Sequence, residues 1–315
     1  MNARPPFPRA QPEPTVVLRP CAKLNLTLEV LGRRPDGYHD LASVFQAIDL
    51  RDELAIRPDR DLGLTCSVPD LGDDGNLVLR AARLLRAEAG IAAGARLHLE
   101  KRIPVAAGLG GGSSDAAATL VGLTRLWRLG WPRARLARLA ERLGSDVPFF
   151  LGSPTALVTG KGEAISPLPS LSPHRALVVH PVLRQPAPSD KTRRLYAALR
   201  PEDYRDGSAT RRLAQAIAGG APLDPALLVN SFERAACRLF PEVAEAEAAM
   251  LSAGVPWVRL AGSGPCLYTL LRDGQPQGRR DAQRLADALR SRGLAVYLVR
   301  TVAGPLLLPD CQGAT

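Results

Sequence analysis

The chain has 315 residues, of which 46% are hydrophobic, and a mean hydropathy of −0.04, which suits two packed, water-facing domains. Its net charge of +10 points to anionic partners such as nucleic acid, membrane surface or phosphorylated small molecules. Only 4% of residues are aromatic, too few for base-stacking platforms, and no run approaches the ~18 apolar residues of a membrane span.

Residues 1–14 hold five prolines and no apolar run, the composition of a disordered arm rather than a signal peptide. Thr15 to Leu31 predicts two strands broken near Pro20, and Ser43 to Ile56 a hairpin-like pair about Arg51-Asp52. Gly63 to Val68 is a further short strand, and Asn76 to Ala89 a helix that Gly90 stops. Arg96 to Ile103 predicts a strand, Ser113 to Leu129 and Pro132 to Leu143 helices. Strands follow at 155–159, 164–168 and 176–180, helices at 190–199, 209–218, 231–239 and 243–253. A strand at 257–260, a glycine turn, a strand at 266–271, a helix at 281–292 and a strand at 295–300 complete the order. The mixture is α+β rather than strictly alternating. The proline-rich stretch 166–173 is the expected seam between an ATP-binding catalytic domain at 15–170 and a C-terminal domain at 171–309, with 310–315 a tail.

The most informative segment runs from Pro104 to Ala118. It carries Ala106, Gly108, Leu109, Gly110, Gly111, Gly112, Ser113 and Ser114, then Asp115 and an alanine-rich run. Glycines let a ligand approach bare backbone, and Ser113 or Ser114 is expected to cap the following helix. Free N–H groups at a helix N-terminus make a phosphate cradle. The P-loop pattern is absent, because no lysine follows these glycines, and the dinucleotide pattern fails at Ser113. Asp115 is expected in the first helical turn, where the dipole favours a carboxylate whatever the function.

Of 41 basic residues only Lys23, Lys101, Lys161 and Lys191 are lysine. A lysine kept in an arginine-rich chain marks a place where a planar fork does not substitute for an ammonium, and Lys23 is the leading candidate. Asp146, in Gly-Ser-Asp-Val-Pro, is a candidate general base; aspartate in such a turn is equally common as a helix N-cap. Asn25, two residues beyond Lys23 on a strand, shares its face. Asp36-Gly37 is a turn signal that presents Tyr38 and His39 at a loop tip. The five cysteines and four histidines show no metal-ligand spacing, so no protein metal cage is expected and the cysteines are expected as reduced thiols.

The segment from Pro104 to Ala117 resembles the central motif of the GHMP kinases. Cys21-Ala-Lys-Leu-Asn-Leu26 and Leu260-Ala-Gly-Ser-Gly-Pro-Cys266 stand where that superfamily keeps its other motifs. With Arg34-Pro-Asp-Gly-Tyr-His39 and Gly144-Ser-Asp-Val-Pro148, the set resembles one branch, the kinases of a cytidine-diphosphate-linked methylerythritol in the non-mevalonate route to isoprenoids. The resemblance implies a ribosomal-protein-S5-like half followed by a ferredoxin-like half, with ligands between them. It implies transfer from ATP to the acceptor 2-hydroxyl, with Mg²⁺ held mainly by phosphates and water, aided by Ser113 or Ser114. Asp146 would be the base, with Lys23 beside it favouring the carboxylate and polarising the hydroxyl. Asn25 would hold that hydroxyl. Tyr38 and Tyr196 would face each other across the cytosine, about 7 Å apart at twice a stacking distance, with His39 at its polar edge. Thr192 joins Tyr196 one helical turn away, and Gly262 and Ser263 shape the pocket. The family's Asn-Asp-Leu-Glu is replaced by Asn230-Ser-Phe-Glu233, expected as a helix start. A cytoplasmic enzyme is implied, a monomer or weak homodimer acting on a small molecule without nucleic-acid or membrane partners. A GHMP kinase of another alcohol, and a nucleotide- or RNA-binding protein without catalysis, are the alternatives; ADP release with and without the cytidine-linked acceptor separates them.

Overall fold

The computed structural model describes residues 15–309 except 187, 189 and 273–275. The expected arm at 1–14, the tail at 310–315 and the cysteine at 311 lie outside the described residues.

Strands β1 (Val16–Arg19) and β2 (Cys21–Arg33) are broken at Pro20, as expected, and are followed by β3 (His39–Arg51), β4 (Glu53–Asp59) and β5 (Leu62–Cys66). Helix α1 (Leu77–Ala89) is capped by the Asn76 side chain and closed by left-handed Gly90. Then come β6 (Gly94–Glu100), α2 (Gly111–Leu126), α3 (Arg133–Glu141), β7 (Thr155–Gly160), β8 (Ala164–Pro167) and β9 (His174–His180). The later part holds α4 (Lys191–Ala197), α5 (Ser208–Ala218), β10 (Val229–Asn230), α6 (Glu233–Leu239) and α7 (Pro241–Ser252). It ends with β11 (Arg259–Leu260), β12 (Leu267–Arg272), α8 (Pro276–Arg290), β13 (Ala295–Arg300) and β14 (Leu308–Pro309).

Three sheets result, in the orders β14-β1-β4-β6-β5, β10-β2-β3-β7-β8 and β11-β12-β9-β13. The α+β class stands. The expected hairpin at 43–56 does not: β3 pairs with β2 and β7, whereas β4 pairs with β1 and β6. Asp52 causes the split. Its buried carboxylate accepts the N–H groups of Arg102 (2.6 Å) and Ile103 (2.8 Å), which ties the break after β3 to the end of β6. Two short pairings escaped the sequence, β10 parallel to β2 and β14 antiparallel to β1; two-residue strands carry no readable periodicity.

Three hydrophobic cores fill the spaces between layers. One joins the first two sheets to α1, α2 and α3. A second takes Leu24 and Leu26 of β2, Ala176 and Val178 of β9, Leu213 and Ile217 of α5, and Leu109 of the glycine segment. The third takes Leu177 and Val179 of β9 with Val243 of α7 and Leu285 of α8. Strand β9 thus alternates its residues between two cores. Strand β2 is buried from Cys21 to Val30 although it contains Lys23, Asn25, Thr27 and Glu29. Buried polar groups need partners, and these have them: Thr210 meets Thr27 (2.9 Å) and Glu29 (2.7 Å), while Lys23 and Asn25 meet each other.

Candidate active site

The glycine segment crosses the end of β2, where the Leu109 carbonyl accepts the Lys23 N–H at 2.9 Å. Gly108 and Gly110 have positive φ, +79° and +73°, and so does Ala106 at 53°. Helix α2 starts at Gly111 with left-handed Gly110 at its N-cap position and no side-chain cap. The expected serine cap is therefore wrong: a left-handed glycine already turns the chain in, and Ser114 lies within the helix, its N–H donated to Gly110 O at 3.0 Å. The N–H groups of Gly111, Gly112 and Ser113, the first three of the helix, have no intrahelical acceptor. They border a cavity of about 520 Å³ lined by 104–113 and by Asp70, Leu71 and Asn76.

A second, larger cavity of about 1100 Å³ holds Lys23, Asn25, Tyr38, His39, Asp146, Thr192, Tyr196, Gly262 and Ser263. Every acceptor-side residue expected from sequence lines it. Gly108 and Gly110 line both cavities, so the two meet at the loop. At the junction the Lys23 ammonium donates to Asn25 Oδ1 (2.6 Å) and Gly108 O (3.1 Å) and lies 3.5 Å from Asp146 Oδ2. The Lys23 side chain is 4% exposed and that of Asp146 34%. Asp146 is not a cap: the short 3₁₀ turn that follows, Pro148–Leu151, has Val147 at its N-cap position. A buried cation beside a partly open carboxylate suits proton removal from a hydroxyl.

The third motif sits against the loop. A Cβ on Gly108 would stand 2.8 Å from Gly264 N and closer still to Ala261 O; one on Gly262 would meet Gly108 O at 2.7 Å. Only glycine on both sides permits this backbone contact. Asn230, buried, donates to Leu260 O (2.9 Å) and Gly262 O (2.8 Å) and so holds the turn.

At the end expected to take the base, the ring stacked on Tyr196 is His39 rather than Tyr38. His39 stacks on Tyr196 with ring centroids 4.5 Å apart and an 18° interplanar angle, and Phe232 meets Tyr196 edge-on at 4.9 Å. Tyr38 is 61% exposed at the β2–β3 turn, with Lys161 Nζ 4.7 Å from its ring centroid. His39, the first residue of β3, is the ring that meets α4, while Tyr38, in the turn just before it, lines the same cavity. Thr192 Oγ1 lies 3.1 Å from Ser263 Oγ, joining α4 to the third motif. Tyr204, with its hydroxyl 3.5 Å from His39 Nε2, and Phe232 also line the cavity; nothing in its sequence surroundings marks Tyr204, and Phe232 sits in the Asn230–Glu233 segment expected only as a helix start.

The model of the GHMP kinases N-terminal domain matches residues 76–153, and that of the GHMP kinases C-terminal domain residues 210–294. A "4-diphosphocytidyl-2-C-methyl-D-erythritol kinase" of Dehalococcoides mccartyi is 42% identical over 285 residues, 90% of this chain and 97% of the relative. One of the same name from Pelotomaculum thermopropionicum is 44% identical over 285 residues, 89% of this chain and 96% of the relative. This chain belongs to the GHMP kinases. Within them it falls in the family of those relatives. A crystal structure of 4-(cytidine 5'-diphospho)-2C-methyl-D-erythritol kinase superposes with a TM-score of 0.74 at 39% identity, covering 91% of this chain and all (100%) of that one. A homoserine kinase from Cytophaga hutchinsonii shares the fold at 18% identity, with a TM-score of 0.68 over 97% of this chain and 100% of that one.

In this GHMP kinase Asp115 is not in the first turn of α2 but is its fifth residue, 2% exposed and 2.8 Å from Lys101 Nζ. Lys101, itself 5% exposed, also binds Asp52 at 2.5 Å. Burial, opposed by Lys101 and helped by Asp52, pushes the Asp115 carboxyl up to about 7. An unfolded aspartate titrates near ~3.9. Between those values the folded chain holds a proton that the unfolded chain has released, so this group's contribution to stability falls as pH rises from about 4 to about 7. Asp115→Asn is expected to flatten that slope and to raise the melting temperature at pH 8 relative to wild type, as thermal melts from pH 5 to 8 would measure. The four cysteines among the described residues are free thiols, as expected.

Proposed function

We propose that the chain transfers the γ-phosphoryl group of ATP to the 2-hydroxyl of 4-diphosphocytidyl-2-C-methyl-D-erythritol, giving the 2-phosphate and ADP. The observation that carries this is the meeting of two cavities at Gly108 and Gly110 with the Lys23–Asp146 pair at the seam. In this proposal the smaller cavity takes ATP, with residues from Pro104 to Ser114 around its phosphates. The larger one takes the acceptor. Asp146 removes the hydroxyl proton, Lys23 holds the acceptor oxygen and offsets charge on the moving group, and Asn25 fixes Lys23.

Among the described residues no group of three or more His, Cys, Asp or Glu could hold a metal ion. Of the two expected serines Ser113 lines the smaller cavity, whereas Ser114, fully buried, does not. Mg²⁺ would be held there by phosphate oxygens, water and Ser113, and supplies neutralisation of phosphate charge.

The division near 170 fits this arrangement, since the first two sheets draw mainly on 16–167 and the third on 174–300. We also take the protein as cytoplasmic, a monomer or weak homodimer without nucleic-acid or membrane partners; no helix among the described residues is long and apolar enough to cross a membrane.

ADP release with ATP alone, with the cytidine-linked acceptor, and with homoserine or mevalonate tests the assignment. Stimulation by the first acceptor only is expected; stimulation by another, or by none, would overturn it. Base recognition is tested by Tyr38→Ala. In this proposal the exposed Tyr38 ring, which lines the larger cavity, covers one face of the cytosine; its loss is worth roughly 1–3 kcal/mol, so the acceptor KM should rise about 5- to 150-fold. The KM for ATP should hold, because Tyr38 lines only the larger cavity.

A further inference from the structure

Lys191 is one of the chain's four lysines, and it stands at the first position of α4, one residue before Thr192. It is only 5% exposed. Its ammonium donates to Ala106 O at 2.7 Å and to Gly264 O. Ala106 belongs to the glycine segment at the donor cavity and Gly264 to the third motif. The helix that carries Lys191 supplies Thr192 and Tyr196 to the acceptor cavity. A single buried ammonium therefore ties its own helix to two segments remote in sequence, and the three together bound both ligand spaces.

We infer that Lys191 is a positioning residue for phosphoryl transfer, an internal clasp that fixes the acceptor helix α4 against the donor loop and the third motif. The inference rests on the kinase reading above. Three features support it. Both acceptors are backbone carbonyls, so the clasp sets backbone position rather than a side chain that can swing. Ala106 has a positive φ (53°) that a non-glycine residue rarely adopts, and its carbonyl is turned to this lysine. The loop and turn already touch through Gly108, Gly262 and Gly264, leaving no slack for α4 to shift without breaking the ammonium's bonds. Burial lowers the ammonium to about 8, with the charge of Lys23 acting the same way. A cation kept there despite that penalty needs a geometric return. A compact ammonium reaches two carbonyls in a closed space where a planar guanidinium does not fit, which accounts for lysine in an arginine-rich chain. Lys191 lines neither cavity, so its effect reaches the substrates through the segments it holds.

The test uses Lys191→Met, which keeps the stem and removes the donors, and Lys191→Gln, which keeps an amide donor. Should the methionine variant fail to fold, the glutamine variant carries the same readouts. Amide hydrogen exchange should accelerate about tenfold or more across both 106–110 and 261–264, with β9 unchanged. The kcat for ADP release should fall by about 10- to 100-fold, the scale of a misplacement near 1 Å. On the same principle, affinity for a non-hydrolysable ATP analogue should move less than about threefold. A lowered melting temperature with kcat unchanged, or a lowered kcat with exchange unchanged, overturns the inference. A wild type that releases no ADP with the cytidine-linked acceptor defeats the kinase assignment instead, and the exchange measurements then judge the clasp by themselves.

Discussion

Asp146→Asn is expected to fold, to bind ATP as wild type does, and to lose about two to four orders of magnitude in kcat, the range of general acid–base catalysis. The carboxylate faces the acceptor cavity 3.5 Å from the Lys23 ammonium, caps no helix, and is absent from the lining of the ATP cavity. Asparagine fills the same volume and cannot take a proton. Lys23→Arg keeps the charge and is expected to fail too, for reasons the packing makes plain. The ammonium sits between Asn25 Oδ1, Gly108 O and the Phe45 ring, 4.9 Å from the ring centroid, in a side chain 4% exposed. A guanidinium is too broad for that slot. Steady-state ADP release alongside titration with an ATP analogue measures both variants. Near-normal kcat in Asp146→Asn would remove it from the mechanism.

The site was legible in the sequence to different depths. Lys23, Asn25 and the Gly108–Ser114 loop come together in the structure from local patterns that a sequence displays: a period of two along one strand, and glycines ahead of a helix. The same scarcity of lysine that picks out Lys23 applies to Lys191 and Lys101. Both are 5% exposed in their side chains or overall, each bridging two segments distant in sequence. Such bridges become visible only when the segments have been brought together, so residue type was a hint without an address. The His39–Tyr196 stack was not legible for a similar reason. Sequence gave both rings and the turn that presents one of them, but which of two adjacent residues faces α4 depends on how β3 sits against it. Asp52 shows the same limit at the level of the fold: a turn-like Arg-Asp pair reads as a hairpin tip until its carboxylate is seen holding the N–H groups of Arg102 and Ile103.

Gly108→Ala is expected to be severely damaging to activity. Gly108 has φ +79°, where an L side chain is strained, and the added methyl would stand 2.8 Å from Gly264 N and closer still to Ala261 O. Both obstacles are backbone, so the loop and the third motif must part. That separation moves the Gly108 carbonyl off Lys23, now 3.1 Å away, and shifts the wall shared by the two cavities. A displacement near 1 Å at reacting groups costs about 100-fold, so kcat/KM for both substrates should fall by at least that much. Neighbouring glycines sharpen the argument. A methyl on Gly110 would meet the Lys23 Cγ and Phe150 Cζ at 3.0 Å, and one on Gly111 would meet Ile103 Cγ2 at 3.0 Å and Lys101 Nζ at 3.1 Å. These methyls strike protein and not the space above the loop, so Gly110→Val and Gly111→Val should abolish ATP binding by displacing the lysines rather than by filling the phosphate cradle. Gly112 is the control. It is helical, and its methyl would make ordinary contact with Leu77 Cδ1 at 3.7 Å. Gly112→Ala should therefore keep ATP affinity within about threefold, while the better helix former adds up to ~1 kcal/mol to the stability of the fold. Equal losses in Gly108→Ala and Gly112→Ala would mean that the loop tolerates no methyl anywhere and that its contact with the third motif is not what singles out Gly108.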